Sequence, residues 1–221
     1  MSYPRRTPVH SAVERLQPEW GDRFAMTVAL SFGDADLESS RLAELGLADL
    51  SALPRIGIKG PAAESWLRDH GLPAPQTIYE WRRLDEGGLV IRNDTREFLI
   101  ENGFGDGRVD QLAAELGPGA GGAWRVERQD CSLLITGARA LEVFAQTCGV
   151  DVGEMGGAFF KTRVALTSCS VMRDDVGAVP AWRLWLDPSY GEYLWTALLE
   201  IITELAGGPV GWRCLESEAG R

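Results

Sequence analysis

Two segments of the chain carry the same order of apolar and polar positions. In the first, alternating apolar residues at 55–59 are followed by Gly60 and by a segment with apolar residues at helical spacing. In the second, residues 131–136 lead through Gly137 into a segment of the same kind. Alternation predicts a strand, and the wider spacing predicts an amphipathic helix. Each segment therefore predicts a strand, a glycine turn and a helix.

Each copy continues into a further strand and helix. Residues 98–101 precede a helical pattern at 106–116, and residues 182–187 precede one at 189–206. A sheet with one apolar face needs helices to cover that face. We therefore predict an α+β fold of two duplicated halves, in which antiparallel sheets have helices packed on one face. The two halves should match in strand and helix order.

Changes in composition divide the chain into four parts. Residues 1–22 are rich in proline and mixed charge, which predicts an irregular N-terminal arm that gains order only on a partner. Residues 23–117 form the first half and residues 123–208 the second, with the glycine-rich stretch between them as a linker. Residues 209–221 form a C-terminal tail. Deleting residues 2–20 should weaken a complex with a partner subunit and leave the melting temperature of the isolated chain nearly unchanged.

The helical segment at 190–206 is apolar on more than one side. Leu194 and Leu198 belong to its main apolar face, whereas Tyr193, Trp195 and Leu199 lie off that face. A helix that is apolar on more than one face must be buried on more than one side. We expect the second side to be covered by the opposite half or by a partner subunit.

Charge, hydropathy and cysteine spacing exclude several classes of protein. The formal net charge of −10 argues against a nucleic-acid partner, because phosphate binding needs clustered Lys and Arg. No uninterrupted apolar stretch approaches the length of about 18 residues that spans a membrane. Paired metal-site spacing is absent among the cysteines, which are expected to be reduced, buried thiols: Cys131, Cys148, Cys169 and Cys214. These observations predict a cytoplasmic protein that binds neither nucleic acid nor membrane.

The sequence contains no recognisable catalytic constellation. His10 and His70 are the only histidines, and His70 falls at a predicted helix end, where the helix dipole favours it. The adjacent Asp174 and Asp175 are interpreted as solvated loop residues, although a metal site is the alternative. Neither a nucleophile elbow nor a phosphate loop is present. We assign no catalytic, cofactor-binding or metal-binding residue, and expect the isolated chain to show no catalysis and no tightly bound cofactor.

The repeated segments resemble a known superfamily. Residues 55–67, followed by Gly71-Leu72-Pro73, are similar to the first half of aminomethyltransferase-like proteins. That superfamily includes the glycine-cleavage T-protein, the folate-binding YgfZ-like proteins and the gamma subunit of heterotetrameric sarcosine oxidase. Residues 130–144, 161–166 and 184–195 look most like the gamma subunit. The resemblance extends from about residue 49 to residue 205 and implies an aminomethyltransferase-like fold.

Departures from the superfamily shape the expected function. Residues 156–163 read Gly-Gly-Ala-Phe-Phe-Lys-Thr-Arg, without the cysteine of the YgfZ-like signature, and no aspartate stands in the folate-activating context. The resemblance then implies a non-catalytic, gamma-like accessory subunit of a heteromeric flavoenzyme that oxidises N-methyl amines or amino acids. Its partners would be large flavoprotein subunits that carry FAD, FMN, NAD and tetrahydrofolate. The alternatives are a stand-alone folate-dependent aminomethyltransferase-like one-carbon transfer protein and a folate-binding assembly factor.

Overall fold

The computed structural model describes residues 5–105, 107–117 and 121–220, which fall into two units. Unit 2 comprises Leu53–Gln129. Unit 1 comprises the chain on both sides of it, up to Ala52 and from Asp130 onward. Unit 2 is therefore an insertion in the sequence of unit 1.

Both units mix strands and helices. Before the insertion the chain forms β1 (Arg5–Arg6), α1 (His10–Glu14), β2 (Glu19–Arg23), β3 (Met26–Ser31), α2 (Ala35–Glu44) and β4 (Gly46–Asp49). Unit 2 contains β5 (Arg55–Lys59), α3 (Ala63–Asp69), β6 (Trp81–Arg83), β7 (Leu89–Asp94), β8 (Glu97–Glu101), α4 (Arg108–Leu116) and β9 (Trp124–Glu127). After it come β10 (Cys131–Thr136), α5 (Ala140–Thr147), β11 (Phe160–Val164), β12 (Thr167–Arg173), β13 (Ala181–Leu186), α6 (Gly191–Glu204), β14 (Gly208–Pro209) and α7 (Trp212–Ala219). Among the described residues, none of these helices has the length and apolar character needed to cross a membrane.

The topology of the two units confirms the predicted duplication. The series β5-α3-β6-β7-β8-α4 of unit 2 recurs in unit 1 as β10-α5-β11-β12-β13-α6. Across the sheet of unit 2 the strand order is β6-β7-β8-β5, and the equivalent strands of unit 1 have the order β11-β12-β13-β10. All of these pairings are antiparallel. The α+β class predicted from the sequence is therefore confirmed.

Each sheet buries an apolar face together with helices. In unit 2, Ile58 and Phe98 of the sheet share a buried cluster with Leu112 of α4. In unit 1, Ile135 of β10 shares one with Phe144 of α5 and with residues of α6. Burial of such side chains contributes roughly 1.5–3 kcal/mol each. The helices therefore cover the apolar faces of the sheets.

Gly60 and Gly137 occupy equivalent positions in the two copies, at the end of the first strand. Both have positive φ, 134° and 100°. A Cβ at Gly60 would lie 2.2 Å from the carbonyl oxygen of Gly122, and a Cβ at Gly137 would lie 2.3 Å from the carbonyl carbon of Glu44. Only glycine satisfies both the backbone conformation and this close approach.

The strand that precedes each copy in the sequence pairs with the sheet of the other copy. β4, which precedes the first copy, pairs with β10 of the second copy. β9, which precedes the second copy, pairs with β5 of the first. Both pairings are antiparallel, and β14 extends the sheet of unit 1 by a parallel pairing with β4. Each sheet therefore receives its fifth strand from chain that precedes the other copy.

This exchange moves the boundaries expected from the sequence. Residues 23–52, expected in the first half, belong to unit 1 because β4 pairs with β10. Residues 123–129, expected at the start of the second half, belong to unit 2 because β9 pairs with β5. The expected linker at 117–122 falls inside unit 2, between α4 and β9; its residues 118–120 lie outside the described residues.

Residues 5–22 do not form an irregular arm. β1 and β2 pair with the two edges of β3, and α1 lies against α6. Val9 and Val13 are 0% and 2% exposed and belong to the core of unit 1. The sequence pattern missed this because α1 has five residues, too few to show a helical period.

α6 is buried on two sides, as expected from its apolar residues. Leu194 and Leu198 lie in the core of unit 1, and Trp195 off the main face is 1% exposed. The second side is covered by α1 of the same unit. Tyr193, in contrast, is 51% exposed. The expectation of burial was therefore correct for Trp195, correct in part for the partly buried Leu199 and wrong for Tyr193. Cover by the opposite half or by a partner was also expected, whereas α1 of the same unit provides it.

The segment after residue 209 is structured rather than a tail. α7 packs against α2 and β3, and Trp212 and Leu215 are buried. The buried side chains are spaced three apart along the sequence, which places them on one helix face. α7 therefore completes the cover of the small sheet formed by β1, β3 and β2.

Val13→Ala tests whether the N-terminal segment is part of the folded core. The substitution removes buried methyl groups between α1 and α6, so we expect a loss of about 1.5–3 kcal/mol and a melting temperature lower by roughly 3–10 °C. Calorimetry of the purified chain measures it. Glu14→Ala, at an exposed position of the same helix, is the control and should change little. Equal melting temperatures for both variants would instead support the interpretation of the N-terminal segment as a loosely attached arm.

Candidate functional site

Unit 1 contains a small cavity where the N-terminal segment meets α6. Its lining comes from the N-terminal segment, the end of β3, β4, α6 and the stretch from β14 into α7: Thr7, Val13, Trp20, Ala29, Phe32, Asp49, Trp195, Val210 and Trp212. The volume is about 10 Å³, which holds about one water molecule. Sites for drug-sized ligands measure roughly 300–1,000 Å³. This cavity therefore suits water or one small polar group, and is too small for a flavin or a folate.

Two buried ring nitrogens lie at or beside this cavity without a hydrogen-bond partner among the described residues. One is Nε1 of Trp195, which lines the cavity. The other is Nδ1 of His10, whose ring stacks on Trp20 with 4.4 Å between centroids. Because an unsatisfied buried polar group is costly, a water molecule in the cavity is the simplest acceptor for the Trp195 N–H.

Two of the lining residues, Asp49 and Trp212, belong to a chain of hydrogen bonds. The Trp212 indole N–H donates to the Asp49 carbonyl oxygen at 2.9 Å. The Asp49 carboxylate accepts from the Ser51 N–H at 2.9 Å, and the Ser51 hydroxyl oxygen accepts from the Ser132 N–H at 3.0 Å. These contacts join α7 to β4 and β4 to β10.

The buried carboxylates of the described residues all have structural partners. Glu101 lies 2.7 Å from Arg55 in unit 2, and Asp174 lies 2.7 Å from Arg183 in unit 1. Glu38 of unit 1 accepts hydrogen bonds from one hydroxyl and two backbone N–H groups. Removing one partner of a buried ion pair leaves an uncompensated charge, which is strongly destabilising. These three carboxylates therefore maintain the fold.

The titratable residues considered from the sequence lie apart from one another. His70 follows α3, stacks on Trp66 and has Nδ1 2.7 Å from the Trp66 carbonyl oxygen. Asp175 accepts from Arg173 at 2.9 Å, whereas Asp174 lies in the buried ion pair. The interpretation as a solvated loop residue is therefore wrong for the buried Asp174 and holds for Asp175, which is exposed beside Arg173. Within the described ranges, no cluster of three or more His, Cys, Asp or Glu could hold a metal ion.

The residues around the cavity were not predicted as a site. Thr7, His10 and Trp20 come from the N-terminal segment, whereas Trp195 comes from α6. No motif spacing connects residues so far apart in sequence. The one available signal was the position of Trp195 off the main apolar face of its helix.

Two solved structures share this fold. The glycine cleavage system aminomethyltransferase T from Bartonella henselae matches with a TM-score of 0.78 and 17% identity, over 98% of this chain and 62% of that chain. This chain therefore spans about three fifths of that protein's length. A chain of heterotetrameric sarcosine oxidase from Corynebacterium sp. U-96, in complex with pyrrole 2-carboxylate, matches with a TM-score of 0.60 and 19% identity. That match covers 80% of this chain and 94% of that one.

These comparisons establish the aminomethyltransferase-like fold expected from the sequence. Neither protein-family models nor curated protein sequences match the chain. At such low identities a structural likeness speaks for the fold alone, since one fold supports many functions. Function must be argued from further observations.

Glu38→Gln tests the buried carboxylate that joins three segments of unit 1. Its Oε1 accepts from the Ser31 hydroxyl at 2.6 Å and the Phe32 N–H at 2.7 Å, and its Oε2 accepts from the Gly211 N–H at 2.7 Å. A glutamine would turn an NH₂ toward a backbone donor, at a cost of about 2–3 kcal/mol. Urea denaturation should show this loss, while Glu44→Gln, exposed on the same helix, should stay within about 0.5 kcal/mol. Similar values for the two variants would contradict this role.

Thiol alkylation tests the burial of the cysteines. Burial raises the pKa of the Cys169 thiol to about 12, so at pH 8 only roughly one part in ten thousand is thiolate. Because the thiolate is the reactive form, Cys169 should stay unmodified by iodoacetamide in the native chain while the half-buried Cys148 and Cys214 react. Peptide mass spectrometry reads the modification. The denatured chain, in which all cysteines should react, is the control; rapid native labelling of Cys169 would contradict the prediction.

Proposed function

We propose that this chain is a non-catalytic accessory subunit of a heteromeric flavoenzyme, similar to sarcosine oxidase, that oxidises N-methyl amines or amino acids. The observation that carries the proposal is the reciprocal match to a chain of heterotetrameric sarcosine oxidase. Since 80% of 221 residues corresponds to 94% of that chain, the matched chain is itself about 190 residues long. The likeness therefore spans nearly all of a small subunit of that enzyme.

The chemistry of the described residues supports an accessory role. General acid–base catalysis needs a titratable group that a substrate can reach. The buried carboxylates Glu38, Glu101 and Asp174 have partners within their own units instead. In the proposed complex, FAD, FMN, NAD and tetrahydrofolate belong to the large partner subunits, and the assembly works in the cytoplasm.

A second candidate is a folate-dependent, aminomethyltransferase-like one-carbon transfer protein or a folate-binding assembly factor. The higher TM-score of 0.78 and the 98% coverage of this chain by the aminomethyltransferase favour it. Against it stands the 62% coverage of that enzyme, which leaves more than a third of it without a counterpart here. The two candidates differ in whether this chain itself binds folate.

Co-expression tests the first candidate. Where neighbouring genes encode flavoprotein subunits, we expect the tagged chain to co-purify with them, and the complex to oxidise sarcosine with production of hydrogen peroxide. Leaving this chain out should lower the yield of the intact complex, because its subunit interface would be missing. A tagged acidic protein of similar size is the control. Absence of any co-encoded flavoprotein from the purified material would refute the accessory role.

Titration calorimetry with tetrahydrofolate distinguishes the second candidate. The isolated chain should show no saturable heat under the accessory proposal. Saturable binding at micromolar tetrahydrofolate would instead favour the folate-dependent candidate, and assays of one-carbon transfer would then follow.

A further inference from the structure

The turn of the hairpin between β11 and β12 contains a leucine, Leu166, that is unusual both in its backbone conformation and in its exposure. Its turn consists of Ala165 and Leu166, both left-handed, with φ of 44° and 67°. Two-residue hairpin turns with this backbone favour Asn-Gly, because a Cβ disfavours positive φ. Leu166 is also 85% exposed, more than any other large hydrophobic side chain of the described residues. The turn thus holds a bulky apolar side chain in solvent at a strained position.

Another hairpin of unit 1 shows how this chain offsets such strain. β2 and β3 are joined by Phe24 and Ala25, with φ of 49° and 57°. There the apolar residue is partly buried, and its ring meets Trp212 edge-on at 6.3 Å between centroids. Packing within the unit explains an apolar residue in that strained turn. Leu166 has no comparable burial, so packing within the unit does not offset the strain of its turn.

The same hairpin is a basic region of an acidic protein. Residues 155–172 contain Lys161 and Arg163 and no Asp or Glu, whereas the chain carries a net charge of −10. Both cations are exposed and alternate with buried Phe160 and Val164, so they share one face of β11. A surface that receives this hairpin should therefore present carboxylates.

We propose that Leu166 anchors a protein docking site and inserts into an apolar pocket, rimmed by carboxylates, on a partner subunit. The proposal rests on the accessory function above, in which that partner is a subunit of the oxidase complex. A tight hairpin presents one apolar side chain at low conformational freedom, and such pre-organisation favours binding.

Other occupants fit these observations less well. A single leucine with two cations buries too little apolar surface for stable membrane attachment. Docking of the hairpin onto a different face of an identical copy would be a heterologous contact, which propagates unless a ring closes. Neither objection applies to a partner that is a different protein.

Leu166→Ala in the full chain tests the anchor. Truncation of a buried anchor should weaken binding to the co-encoded flavoprotein subunits by at least about tenfold, measured by surface plasmon resonance. Leu37→Ala, at another exposed leucine of unit 1 (47% exposed), should leave affinity unchanged. Arg163→Gln should mainly slow association and reduce its salt dependence, because charges at the rim steer the encounter.

A double substitution tests the strain. Ala165→Asn with Leu166→Gly places the favoured residues in the turn and removes the anchor. We expect the melting temperature of the isolated chain to rise by roughly 2–4 °C, while binding to the flavoprotein subunits falls at least as far as for Leu166→Ala. A lower melting temperature would overturn the claim that the turn is strained.

The outcomes separate this docking site from the proposed function. If the wild-type chain and Leu166→Ala bind the flavoprotein subunits equally, the docking site is wrong and the accessory function stands. If the wild-type chain binds none of them, the accessory function fails and the site with it. Loss on Leu166→Ala of self-association in sedimentation, or of binding to phosphatidylglycerol–phosphatidylcholine vesicles, would identify a second copy or a membrane as the occupant and overturn the proposal.

Discussion

The antiparallel pairing of β4 with β10 is the interaction on which unit 1 depends. Its register runs from Leu133 opposite Asp49 to Thr136 opposite Gly46, and it joins two stretches separated by the whole of unit 2. The entropy cost of closing a loop grows only slowly with its length, so a complete unit can be inserted there. The pairing also positions neighbouring features: Gly137 lies against the backbone at the end of α2, and the hydrogen bonds of Ser51 link the strands. In unit 2, β9 fills the same place beside β5.

The N-terminal segment completes unit 1 rather than waiting for a partner. α1 covers the side of α6 that carries Trp195, and the cavity between them has room for about one water molecule. The segment is therefore already engaged within its own unit. Two of the exposed apolar side chains of unit 1 differ in kind: Tyr193 is half-exposed on a regular helix, whereas Leu166 is exposed at a strained turn. This difference is why the docking proposal rests on the hairpin.

The fold by itself does not name a reaction. Aminomethyltransferase T and a chain of heterotetrameric sarcosine oxidase share it with this chain at low sequence identity, and one fold hosts many functions. The buried ionic groups support the accessory proposal, which rests on the match to the sarcosine oxidase chain, because they are engaged within each unit: Glu101 with Arg55 and Asp174 with Arg183. Such pairs hold a fold together through the high cost of breaking them. In the accessory proposal, the contribution of this chain to function therefore comes from its surface.

The sequence alone determined the local units: a strand, a glycine turn and a helix around Gly60 and again around Gly137. These follow from residue periodicity and from a backbone conformation that only glycine adopts easily, so no distant contact is needed to predict them. Only the tertiary structure decided which strands are neighbours, since β4 comes just before β5 in the sequence and yet pairs with β10. The tertiary structure also decided that α1 belongs to the core of unit 1 and that Trp20 and Trp195 line the same cavity. Those outcomes depend on contacts between segments far apart in the sequence, and the periodicity of apolar residues within a segment does not indicate such contacts.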